Sequence, residues 1–161
     1  MFQVMRLEEN IAEKIARLNR TTTARDMYDL SWIMTTNTIT LALDTQLIKR
    51  LDVLKIWVDA NGVHCGNSFW KQGDESRPFD PKKWLQKRNI TDFDTNDIGV
   101  LAVPPSSFEE LSAIISQMYA FLIDLDEDER TLANIRGRDR PLALQMLRTL
   151  TDGRLKDIGI Y

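Results

Sequence analysis

One lysine and two aspartates, Lys14, Asp26 and Asp29, have the residue types and spacing to carry chemistry. On a helical wheel turning by about 100° per residue, Lys14 lies at the border of the apolar stripe that contains Leu7. Asp26 lies inside the apolar arc of the following helix. A lone charge on the packing side of a helix is costly. We therefore predict that Lys14 and Asp26 face each other between consecutive helices.

The sequence leaves two interpretations of this pair open. In the first, it is a structural ion pair that determines how two helices dock. In the second, Lys14 meets a nucleotide phosphate and a carboxylate orients it, because phosphoryl chemistry needs positioned cations near developing charge. Arg25 and Asp29 stand four residues apart, which predicts a separate ion pair on the helix surface.

Helical periodicity dominates the apolar residues and predicts a mainly α, bundle-like single domain over residues 1–161. Asn61-Gly62 is expected to end the third and longest helix. Phe2–Met5 and Ile98–Val103 are the strand candidates, so we expect at most one short N-terminal strand beside the helices. The first three apolar stripes are Leu7, Ile11, Ile15 and Leu18; Met27, Leu30, Ile33 and Met34; and Leu43, Leu47, Leu51, Leu54 and Val58. Further helix starts are predicted at Asp80-Pro81, at Ser106–Glu110, at Asp126–Glu129 and near Pro141.

Composition excludes several classes of protein. The 161 residues are 43% hydrophobic, enough for the core of one domain. With 21 basic and 24 acidic residues, the net charge of −3 argues against binding nucleic acid or an anionic membrane through the whole surface. The single Cys65 excludes an internal disulfide and fits a reducing compartment. Without a signal-peptide pattern or an apolar run of about 20 residues, the expected location is the cytoplasm.

Metal ligands at workable spacing are lacking, and we predict no metal site in this chain. His64 and Cys65 are single and adjacent, which is too few ligands for zinc. The acidic pairs Asp92 with Asp94, Asp124 with Asp126, and Asp126 with Asp128 lie in a polar connector or at helix ends. Capping and connector positions account for them without a metal.

Three arginines near the C-terminus, Arg136, Arg138 and Arg140, alternate around Gly137 and Asp139. We interpret them either as a basic patch that contacts the phosphates of an RNA or as an ordinary solvent-exposed junction between helices.

The stretch Glu8–Ile15, followed by Arg20 and by Arg25–Leu30, resembles the second half of AbiEii/AbiGii-type nucleotidyltransferase toxins. These toxins are used in phage abortive infection and in toxin–antitoxin systems. Val53–Asp59 and Phe79–Pro81 also look like this family, so the resemblance covers most of the chain.

The resemblance implies roles for the charged residues. Lys14 would contact the phosphates of the nucleotide, and Asp26 and Asp29 would be the catalytic carboxylates that orient it. The family's other half supplies a Gly-Ser turn and paired acidic residues that hold Mg²⁺ against a nucleoside triphosphate, but this sequence contains no Gly-Ser dipeptide. We therefore expect the C-terminal helical half without the catalytic sheet half. Such a chain would bind no cofactor and would not be competent alone.

The same resemblance implies partners. They are an antitoxin or the missing catalytic half, and a tRNA or other RNA as acceptor. An apolar face left uncovered by a missing half would favour a homo-oligomer. The alternative hypothesis is a non-catalytic helical module that binds a partner polypeptide, either the antitoxin or a separate catalytic half.

Overall fold

A computed structural model describes residues 6–19, 23–36, 42–61, 80–86, 107–133 and 139–157. Within these ranges the chain forms α-helices and one 3-10 helix, without a strand, which confirms the predicted mainly α fold. In chain order the elements are α1 (Leu7–Leu18), α2 (Ala24–Thr35), α3 (Thr45–Asn61), α4 (Pro81–Gln86), α5 (Phe108–Met118), the 3-10 helix Ala120–Ile123, α6 (Glu127–Ala133) and α7 (Arg140–Asp157).

Several predictions fall on segments outside the described residues. They are the two strand candidates Phe2–Met5 and Ile98–Val103, the pair His64 and Cys65, and the acidic pair Asp92 and Asp94. In the described part of the chain, no helix has the length and hydropathy needed to cross a bilayer.

Side chains at the predicted positions open three of the helices. An Asp80 carboxylate oxygen accepts a hydrogen bond from the backbone N–H two residues later, at 3.0 Å, directly before α4. Ser107 and Glu110 form a reciprocal capping box at the start of α5. Asp126 and Glu129 exchange the same two bonds at the start of α6, at 2.9 and 2.8 Å. These bonds satisfy N–H groups that a helix start otherwise leaves without a partner.

The core is organised around α1, which contacts α2, α3 and α4. Helix α2 also packs on α5, and α3 packs on α6 and α7. Burying each large apolar side chain contributes about 1.5–3 kcal/mol to folding. The largest fully buried side chains are Ile11, Ile15, Leu18, Met27, Leu30, Ile48, Ile56, Leu111 and Tyr119.

The buried face of α3 differs from the predicted leucine stripe. Ile48 and Ile56 are fully buried, whereas Val58, which belonged to the predicted stripe, is 58% exposed. Lys49 and Asp52 are buried beside the isoleucines, so polar residues share the packing face. The prediction was wrong for Val58 and right for Leu54, which is buried. Because α3 touches α1, α6 and α7, it buries a wide arc that its leucines alone do not define.

A charged network joins α3 to the start of α6. Glu129 is fully buried and accepts a hydrogen bond from Gln46 Nε2 at 3.1 Å. Lys49 Nζ and Arg50 Nε lie 3.4 and 3.6 Å from the Glu129 carboxylate, and Arg50 Nη2 lies 3.1 Å from Asp126. The buried carboxylate is therefore paired and hydrogen-bonded, as a charge in a core must be.

Candidate functional site

The first candidate site lies where α1 meets α2. Thr23 precedes α2, and its hydroxyl accepts a hydrogen bond from the backbone N–H of Asp26 at 3.1 Å. This cap places Asp26 in the first turn of α2, opposite α1. Lys14 Nζ donates to Asp26 Oδ1 at 3.0 Å and to Asp29 Oδ2 at 2.8 Å. The predicted contact between Lys14 and Asp26 is present, and Asp29 adds a second acceptor.

The surroundings of Lys14 keep its amine charged. The side chain of Asp26 is 5% exposed and that of Lys14 is 15% exposed. Burial lowers the pKa of Lys14, but the hydrogen bonds to Asp29 and Asp26 and the charges of both carboxylates together raise it above its ordinary value. Lys14 is therefore an ammonium at neutral pH, and two of its three N–H donors are already engaged.

The predicted surface pair between Arg25 and Asp29 is not among the ion pairs of the described residues. Asp29 binds Lys14 instead, at 2.8 Å. Because Asp29 follows Asp26 by three residues, both carboxylates lie on the side of α2 that faces α1. The partly buried lysine is their shared partner, and Arg25 lies exposed.

Sequence reasoning missed three further charges around this pair. Arg17 lies 3.6 Å from the second oxygen of Asp26 and 3.7 Å from Glu13, and Lys55 on α3 donates to Glu13 at 3.1 Å. Charges of alternating sign thus run from α2 across α1 to α3. The spacing of Glu13 and Arg17 signalled a helix-surface pair, but no sequence pattern linked Arg17 to Asp26 or Lys55 to Glu13.

The described carboxylates do not fit Mg²⁺. Both oxygens of Asp26 face a cation, since one meets Lys14 and the other meets Arg17, and Asp29 is bound by the same lysine. Magnesium would need carboxylate oxygens that converge and carry no competing partner. Within the described ranges, no group of three or more histidine, cysteine, aspartate and glutamate residues is placed to hold a metal.

Only one of the three arginines expected to contact RNA can be located. Arg140 begins α7 and its side chain is exposed, whereas Arg136 and Arg138 lie outside the described residues. The assignment of these arginines to RNA stays a prediction.

A groove of about 600 Å³ separates α1, α3 and α7. Val58 and Leu144 contribute exposed apolar surface to it, so part of the leucine stripe predicted for the core of α3 lines this groove instead. Glu13 and Lys55 belong both to the groove and to the charges around Lys14. The lining residues are Glu9, Glu13, Leu51, Leu54, Lys55, Trp57, Val58, Asp59, Arg140, Ala143, Leu144 and Leu147.

Comparison with known proteins gives two matches. Residues 1–54, which include Lys14, Asp26 and Asp29, match the family described as nucleotidyl transferase AbiEii toxin of type IV toxin–antitoxin systems. Among solved structures, the chain is similar to MenT4, a nucleotidyltransferase toxin from Mycobacterium tuberculosis H37Rv, with 33% identity and a TM-score of 0.71. No curated protein sequence matches the chain.

The structural match covers 92% of this chain and 46% of the MenT4 chain, so the chain spans about half the length of that toxin. The match in structure extends well beyond the 54 residues matched in sequence, and both matches are to nucleotidyltransferase toxins. Both matches support a relationship of this chain to the AbiEii-type nucleotidyltransferase toxins.

Proposed function

We propose that this chain is the helical part of a nucleotidyltransferase toxin of a toxin–antitoxin or abortive-infection system. In it, Lys14 contacts the phosphates of a nucleoside triphosphate, while Asp26 and Asp29 orient the lysine. The observation that carries the proposal is the position of the Lys14 ammonium, which two carboxylates hold at 3.0 and 2.8 Å. The family match over residues 1–54 supports it.

A cation that is already in position before the reaction begins suits nucleotidyl transfer. Charge that develops on a phosphoryl group is stabilised best by groups that need not reorganise during the reaction. The ammonium of Lys14 is fixed by two hydrogen bonds and keeps one N–H for an incoming oxygen. The same contacts also dock α1 on α2, so a test needs a readout that helix docking alone does not change.

Magnesium and the nucleotide belong, in this proposal, to the complete enzyme. The carboxylates of Asp26 and Asp29 are engaged by cations and do not fit Mg²⁺. We therefore expect this chain to transfer no nucleotide by itself. Incubation with Mg²⁺, labelled nucleoside triphosphates and bulk tRNA should leave the RNA unlabelled, and label transfer would contradict this part of the proposal.

Reconstitution tests the role of Lys14 directly. The part of MenT4 outside the structural match would be co-expressed with this chain, and label transfer to tRNA would be measured. Lys14→Ala and Asp26→Ala should abolish any restored transfer, whereas Arg130→Ala, which removes an exposed cation from α6, should leave it unchanged. Restored transfer that survives Lys14→Ala, in a variant folded by circular dichroism, would refute the phosphate contact.

The second candidate function is a non-catalytic helical module that binds an antitoxin or a separate catalytic half. The exposed apolar side chains of Val58 and Leu144 favour it, because contiguous apolar surface often marks a contact with a partner. Val58→Asp should then weaken binding of the partner, while Lys14→Ala should change neither binding nor restored activity. We also propose that Arg136, Arg138 and Arg140 contact an RNA acceptor. A homo-oligomer formed through the apolar surface is a further proposal.

A further inference from the structure

Arg17 is a second cation beside Lys14, one helical turn later on α1. Its guanidinium lies 3.6 Å from Asp26 Oδ2 and 3.7 Å from Glu13 Oε1. Both distances are those of ion pairs and are longer than hydrogen bonds. Among the residues that the structure describes, the guanidinium N–H groups of Arg17 make no hydrogen bond. The side chain is therefore positioned by charge.

Exposure separates Arg17 from its neighbours. Its side chain is 48% exposed, more than that of any other member of the charged set. The negative groups are more buried or already paired, since Asp26 binds Lys14 and Glu13 binds Lys55. Of the charges near Lys14, the one most open to solvent is therefore positive.

The two cations offer different chemistry to an anion. Two of the three N–H donors of Lys14 already bind carboxylates, so the amine can donate one further hydrogen bond while it keeps these two. Arg17 presents a planar fork of donors that matches two oxygens of one phosphate. Long ion pairs of a half-exposed side chain are weak, so redirecting this fork to a phosphate costs little.

We infer that Arg17 provides the bidentate phosphate contact of this site and that Asp26, shared between the two cations, sets the spacing between Arg17 and Lys14. The ligand is the triphosphate of a nucleotide, so the inference rests on the proposed function. In this arrangement Lys14 supplies a fixed charge with one free donor, and Arg17 supplies directional hydrogen bonds.

The test is the affinity of the 161-residue chain for inorganic triphosphate, measured by isothermal titration calorimetry. Arg17→Gln should weaken binding by about tenfold, the loss expected for a charge-assisted bidentate contact. Arg17→Lys should recover only part of the affinity, because it restores the charge without the fork. Arg130→Gln is the matched control, since it removes the same charge from an exposed position on α6 and should leave the affinity unchanged.

The outcomes separate this inference from the function on which it rests. If Lys14→Gln weakens triphosphate binding while Arg17→Gln and Arg130→Gln have equal affinities, the role of Arg17 is overturned and the proposed function stands. An absence of triphosphate binding by the unmodified chain would overturn the inference alone, because the proposed function assigns the nucleotide to the complete enzyme. Loss of tRNA binding with unchanged triphosphate affinity in Arg17→Gln would also overturn the inference. If Arg17→Gln unfolds, Arg17→Lys decides, and wild-type affinity in that variant would refute the bidentate contact.

Discussion

Replacement of Asp52 by asparagine is expected to stabilise the protein at neutral pH. Asp52 lies on α3 and is fully buried, and neither of its carboxylate oxygens has a hydrogen-bond partner among the residues that the structure describes. Burial raises the pKa of Asp52 well above its ordinary value of 3.8; the charge of Lys55 opposes the rise and that of Asp59 adds to it. The folded chain therefore keeps this carboxyl protonated at pH values where the unfolded chain ionises it.

The sign of the effect follows from proton linkage. An acid with a raised folded-state pKa contributes its full stability below the unfolded value near 3.8, and loses it as the pH rises toward the folded value. Each unit of separation costs about 1.4 kcal/mol. Asparagine has nearly the same shape and cannot ionise, so Asp52→Asn should be more stable than the unmodified chain at pH 7, by about 1.4 kcal/mol for each unit that separates the two pKa values.

Urea unfolding, followed by circular dichroism between acidic and neutral pH, measures this gain. The advantage of Asp52→Asn over the unmodified chain should be present at neutral pH and shrink as the pH falls toward 3.8. Glu109→Gln, at an exposed acid in the first turn of α5, is the control and should show no such convergence. A difference that does not depend on pH, or a loss of stability at neutral pH, would refute the reasoning.

Three further perturbations test the other charged clusters. A double-mutant cycle of Lys14→Ala and Asp26→Ala should give a coupling of about 0.5–3 kcal/mol in urea unfolding, and simple additivity would contradict their contact. Glu129→Ala should cost about 3–5 kcal/mol, because it leaves the buried Lys49 without its carboxylate; a change within about 0.5 kcal/mol would show that the network is not needed for stability. Glutamine in place of the three arginines of segment 136–140 should weaken tRNA binding and reduce its salt slope, and an unchanged affinity would remove the RNA assignment.

Local sequence was sufficient for the helix starts and for the central contact of the site. Ser107 with Glu110 and Asp126 with Glu129 cap the helices they were expected to cap, because capping depends on residues within one turn. The helical wheel predicted that Lys14 lies toward the apolar side of its helix. A charge in that position requires an opposite charge on the neighbouring helix, which Asp26 supplies.

Tertiary packing decided the rest of the site. Arg17 meets Asp26, and Lys55 meets Glu13, only because α2 and α3 both dock on α1. Lys55 is 42 residues away from Glu13 in the chain, and no periodicity spans that distance. The role proposed for the Lys14 pair in nucleotidyl transfer rests on the family resemblance and not on spacing.

Sequence by itself determined that this chain folds into helices, where several of them begin, and that Lys14 and Asp26 need each other. Only the tertiary structure decided which side of α3 is buried, and with it the burial of Asp52 and the exposure of Val58. The physical reason is that periodicity reports the apolar side of a single helix. The packing of several helices around α3 determines which polar groups lose contact with water.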